Sequence, residues 1–134
     1  MTLPAADSNL PAGAVRAGSP TGLGLLGGSA TDLSRAIHGR EVSCVEVLDA
    51  TLAQIDRLNP VVNAIVAMPD REGLRAQAAE RDAQLARGES LGPLHGFPQA
   101  PKDIMPAAGM VTTRGSPIFA GQVSSSDAVV YERM

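Results

Sequence analysis

The sequence predicts a mostly helical chain with a short strand, and three features shape that reading. Between Thr31 and Arg87, apolar residues recur at spacings of three and four behind recognisable caps. The run Val61 to Met68 is too short for an independent helix and rich in Val and Ile, which fits a strand. Gly92 to Ser116 then holds four Gly and four Pro, a density that fixes a backbone path neither helix nor ordinary strand supplies.

Met1 to Gly28 is rich in Pro, Gly, Ala and Ser, with Leu23, Leu25 and Leu26 as its apolar cluster, and reads as a disordered arm rather than a docking peptide. A short helix follows, with Thr31 as N-cap, Asp32 in the first turn, Leu33 and Ile37 on one face and Gly39 as the stop. Ser43 with Glu46 three positions on forms a capping box. Behind it Val45, Leu48, Leu52 and Ile55 make the apolar face of a second helix running to Asn59-Pro60. Past the predicted strand, Pro69-Asp70 opens a third helix, Asp70 to Arg87, with Leu74, Ala78 and Leu85 inside and Gly88 as its C-cap. Its outer residues Arg71, Glu72, Arg75, Glu80, Arg81 and Arg87 mix signs, the mark of a solvated face rather than a binding patch. Pro117 to Val123 reads as loop, and Ser124-Ser125-Ser126-Asp127 as the cap of a last helix rather than a nucleophile, since no base stands beside it.

Composition narrows the function. The apolar content of 44% is ordinary for a soluble domain, yet aromatics are 2% and Trp is absent, so the side chains that usually dominate core burial are scarce and self-association is expected. A formal net charge of −3 argues against nucleic acid or an anionic membrane and favours a small-molecule substrate. No run approaches a membrane span, and no basic stretch of a secretory signal opens the chain. The single cysteine, Cys44, excludes an internal disulfide, favours the cytoplasm, and sits in a helical pattern as a small packed residue. His38 and His95 lack metal-site spacing, and neither a metal nor any other cofactor is expected. His95 reads as a turn histidine bonded to backbone, and Phe97 and Met110 as packing residues.

One residue stands out as chemistry. Lys102 is the only cation of the Gly/Pro-rich stretch before Arg114, and Ala100, Pro101, Ile104 and Met105 around it are apolar. An amine held among apolar neighbours is pushed toward its neutral form and becomes a base.

The run GPLHGFP, then KD, then AGM-TT-GS closely resembles the N-terminal part of the amidase signature family, with similarity from about Ala30 to Met134. The resemblance implies an α/β fold in which helices cover a mixed β-sheet. This chain would supply helices, the first strand and the Lys-bearing strand, with residues 29–134 as the N-terminal portion of the domain. It implies hydrolysis of a carboxylic amide C–N bond by a Ser, cis-Ser and Lys triad, in which Lys102 is the catalytic Lys and Asp103 follows it as in the family. Both serines would lie downstream of Met134, so the chain alone is expected to be inactive. Two residues depart from the family pattern: Pro101, where a small β-branched residue usually precedes the Lys, and Pro106. The alternatives are a helical interaction module without the chemistry and a glutamine-hydrolysing amidotransferase subunit.

Overall fold

The computed structural model describes residues 22–134. Of the arm expected over Met1 to Gly28, residues 1–21 lie outside the described residues, and Gly22–Gly27 forms a 3-10 helix that packs on the second helix. Three α-helices follow, α1 (Ala30–His38), α2 (Cys44–Val62) and α3 (Arg71–Ala86), and one last turn, α4 (Val129–Glu132).

The helices start where local chemistry satisfies their free N–H groups. Ser29, not Thr31, caps α1, its hydroxyl accepting the Asp32 N–H at 3.1 Å. At α2 the capping box forms as expected: Ser43 accepts from the Glu46 N–H, and Glu46 accepts from the Ser43 N–H at 2.8 Å. A second acceptor arrives from α3, where Asp82 takes the Cys44 N–H at 2.7 Å and the Val45 N–H at 3.3 Å. The first turn of α2 is thereby closed to any other anion. Asp70 caps α3 through the Gly73 N–H, and Gly88 follows it at φ 81°, a left-handed position that suits Gly.

The core lies between these helices. Ile37, Cys44 and Val47 are fully buried, joined by Leu25, Val42 and Ala50, with Ala78, Leu85 and Phe97 packed against them. Each buried Val or Ile contributes roughly 1.5–3 kcal/mol. The buried face of α2 includes Cys44, Val47 and Ala50 besides the expected Leu48 and Leu52, while Val45 and Ile55 are half-buried at its edges. On the outside, Arg71 pairs with Asp56 and Arg75 with Asp49, exposed ion pairs that tie α3 to α2.

Two expected strands are absent among the described residues. The run Val61 to Met68 begins as the end of α2, which passes through Pro60 and stops at Asn63 in a left-handed conformation, φ 47°. Its next residues pair with no strand. Instead the Asn59 amide donates to the Ile65 C=O at 2.9 Å and accepts the Ile65 N–H at 2.8 Å, replacing a ladder partner with one side chain. The segment around Lys102 is likewise irregular, since Pro101 offers no N–H and Asp103 to Met105 form a turn. The only β pairing among the described residues is one isolated antiparallel bridge, Val111 with Val123.

Candidate functional site

The Gly/Pro-rich stretch is anchored to the helices at its start. His95 is buried, accepts the Leu91 N–H on Nδ1 at 3.1 Å and meets the Arg81 C=O with Nε2 at 2.9 Å, which makes Nε2 the protonated nitrogen. Both ring nitrogens serve the backbone, as read from the sequence. Gly96 then passes over Cys44 at φ 77°. A Cβ built on it would overlap Cys44 Sγ, so only Gly fits. Burial, followed by the Asp82 carboxylate beside it, pushes the Cys44 thiol up to about 12, which leaves it an inert packing group.

Lys102 sits further on, exposed rather than enclosed by its apolar neighbours. Its backbone is held on both sides. The N–H donates to Tyr131 Oη at 3.0 Å, and the C=O accepts from the Ile104 and Met105 N–H groups at 2.7 and 3.0 Å. The next residue reaches across to the TT-GS half of the motif: Asp103 Oδ1 accepts the Thr113 N–H at 2.7 Å, Oδ2 accepts the Thr113 hydroxyl, and the Asp103 C=O accepts the Arg114 N–H at 2.9 Å. These bonds, the Thr113 hydroxyl first and its N–H second, hold the Asp103 carboxyl below its ordinary value.

The Thr113 end is a tight turn. Arg114 and Gly115 take φ 54° and 69°, the Ser116 N–H closes onto the Thr113 C=O at 2.9 Å, and the Gly115 N–H donates to Thr113 Oγ1 at 3.1 Å. The strain of a left-handed Arg is offset in part by its guanidinium, which lies 5.2 Å from the centre of the Phe119 ring. Behind the turn, buried Thr112 bonds Ser124 Oγ at 3.0 Å and its N–H reaches the Gln122 C=O. The serine cluster therefore caps nothing: α4 starts at Val129 behind Ala128, an N-cap position without a side-chain hydrogen bond, while Asp127 accepts the Ala108 N–H at 2.7 Å.

The structure thus brings Lys102, Asp103, Thr113 and Tyr131 into one constellation, of which sequence reasoning assigned Lys102 alone as a site residue. The adjacency of Lys and Asp in the motif was the available signal for Asp103, and the TT-GS run for Thr113; nothing local pointed to Tyr131. Other polar groups are structural. His38 Nδ1 donates to the Ser34 C=O at 2.8 Å and Nε2 meets Ser90 Oγ at 2.9 Å, tying the loop after α3 to α1. A surface depression lined by Ala30, Ser34, His38 and Leu94 adjoins that tie, and another lies between the end of α2 and Met68; neither includes Lys102. Among the described residues no group of His, Cys, Asp and Glu is placed to hold a metal ion, and no helix is long and apolar enough to cross a membrane.

Known proteins share this stretch. A family model described as Amidase matches residues 46–134. The chain is similar to an acylamidase of Rhodococcus erythropolis, 38% identical over 106 residues that cover 79% of this chain and 22% of that protein. It is also similar to a glutamyl-tRNA(Gln) amidotransferase subunit of Dechloromonas aromatica (strain RCB), 42% identical over 110 residues covering 82% of this chain and 22% of the relative. The same subunit of Azoarcus sp. (strain BH72) is 41% identical over an equal span. The chain spans about a fifth of the length of these curated relatives. The family match takes in nearly all of α2, the whole of α3, the Lys-Asp pair and the Thr113 turn together, and the chain belongs to the amidase family, the amidase signature proteins.

Proposed function

We propose that this chain contributes the Lys of a Ser, cis-Ser and Lys triad to a cofactor-free enzyme that hydrolyses carboxylic amide C–N bonds in its full-length form. The observation that carries the reading is Lys102 itself. It is the lone Lys of the family-matched region, set on a backbone held by Tyr131 and by its own turn. In that reading neutral Lys102 accepts a proton from the cis-peptide Ser, which takes the proton of the nucleophilic Ser. The Ser oxygen then attacks the amide carbonyl, the C–N bond breaks, the amine leaves with a proton, and water cleaves the acyl-enzyme. The resemblance puts both serines downstream of Met134. In the complete domain the segment around Lys102 joins a mixed sheet, and the exposed Lys102 becomes enclosed. The single cysteine suits a reducing compartment, and we place the enzyme in the cytoplasm.

A second reading is favoured by the glutamyl-tRNA(Gln) amidotransferase relatives, which are the more identical ones: a subunit that hydrolyses glutamine within a larger complex. One experiment tests both. Residues 30–134 replace the matching segment of the R. erythropolis acylamidase, and the hybrid is assayed on aliphatic and aryl amides and on glutamine. Arg keeps a charge at position 102 but cannot act as a neutral base. Lys102→Arg and Lys102→Ala are both expected to lower turnover by about 10²–10⁴ while substrate binding changes little. Near-full turnover in the Arg variant overturns the proton-relay role; ammonia release confined to glutamine selects the second reading.

A further inference from the structure

We infer that Asp103 and Thr113 act as a pair of positioning residues that set the direction of the Lys102 amine, an inference that rests on Lys102 being the proton acceptor proposed above. Among the described residues Lys102 Nζ makes no hydrogen bond or ion pair, so its direction comes from the backbone that carries it. That backbone is fixed before Lys102 by the Tyr131 hydroxyl on its N–H and immediately after it by the Asp103 carboxylate.

The carboxylate end is cross-linked to a second segment ten residues away. Thr113 offers it two donors, the backbone N–H at 2.7 Å and the hydroxyl, and the hydroxyl in turn accepts the Gly115 N–H at 3.1 Å. The three groups form one polarised chain from the Gly115 N–H through Thr113 Oγ1 to Asp103, and a chain of this kind weakens as a whole when one member is lost. The Arg114 N–H on the Asp103 C=O closes the same loop from the backbone side. A hydroxyl at position 113 is therefore required, whereas its methyl group is not.

The clamp is separate from what holds the fold. The fully buried Ile37, Cys44 and Val47 belong to the first two helices and their start, while Asp103 and Thr113 are half-buried in the irregular part of the chain. Its loss should misdirect one amine rather than unfold the molecule, and a misplacement of about 1 Å costs on the order of 10²-fold in rate.

The test uses the hybrid amidase with Thr113→Val, Thr113→Ser and Asp103→Ala, beside Lys102→Arg. Thr113→Val and Asp103→Ala are expected to lower kcat by roughly 10²-fold with KM within about twofold, and Thr113→Ser to stay within about threefold of the parent hybrid. A KM that rises with an unchanged kcat, or an equal loss in the Ser and Val variants, overturns the inference. If Lys102→Arg keeps turnover, the proton-acceptor reading has failed; if Lys102→Arg is dead while Thr113→Val is fully active, only the positioning role has. On the 134-residue chain itself, hydrogen exchange gives a second measurement independent of activity. Asp103→Ala should unprotect the Thr113 and Arg114 amides while α2 stays protected, and unchanged protection at Thr113 overturns the clamp.

Discussion

Gly96 and Cys44 are a fitted pair: one has no side chain, the other a sulfur in the space a side chain would need. Gly96→Ala adds a methyl against Cys44 at a left-handed φ, and an expected loss of about 2–4 kcal/mol follows from overpacking plus backbone strain. Urea unfolding of the variant measures it, and the double change with Cys44→Ala should recover part of the loss. The thiol also gives a pH signature. Its folded pKa is pushed up to about 12, above the ordinary 9.0, so between those values the unfolded chain has lost a proton that the folded chain keeps. The unfolded state then binds fewer protons, and stability falls as pH rises, by up to about 1.4 kcal/mol per unit. Unfolding midpoints at pH 8, 9 and 10 should show that fall, and Cys44→Ala should flatten it.

The second helix shows which signals a sequence exposes. Its capping box joins residues three positions apart and was legible, as were the charge mixing of α3 and the Gly88 stop, because each is set by neighbours within one turn. The Asp82 cap was not, since its acceptor lies 38 residues from the Cys44 N–H it serves. Asp82→Ala leaves that buried donor without a partner and should cost about 1–3 kcal/mol, more than Ser43→Ala at the exposed cap; thermal melts of the two variants compare them. The strand expected over Val61 to Met68 failed for the converse reason. Val and Ile content reports a fit to a pleated surface, and the described residues supply no neighbour for one, so α2 takes the first two residues and Asn59 takes Ile65. Lys102 stands out in the sequence by its isolation among Gly and Pro, while the bonds of Thr113 to Asp103 and of Tyr131 to the Lys102 N–H arise only in the fold.

Taken together, the molecule has two kinds of interior. Residues up to Phe97 share an apolar core; beyond it Ala107 and Thr112 are the buried residues, and the remainder is held mainly by hydrogen bonds. Large apolar groups stay outside, Val61 at 86% exposure, Ile118 at 87% and Val129 at 66%. Apolar surface left in water seeks cover, so the chain in isolation is expected to self-associate with rising concentration in sedimentation velocity. Hydrogen exchange should also divide it, with α2 amides protected and those of residues 98–134 exchanging by local opening. A monomer at all concentrations whose two parts exchange together would contradict this.

The Tyr131 hydroxyl on the Lys102 N–H sets an order in time. The ribosome releases the chain from its N-terminus, so the three helices and their core can close while Lys102 still lacks the phenol that holds it, 29 residues later. Asp127 on Ala108 and the Ala128 N–H on the Pro106 C=O arrive in the same late stretch. During synthesis, then, the helical part of this molecule precedes the Lys102 segment: a nascent chain already folded through Phe97 carries a Lys102 whose backbone N–H is not yet held.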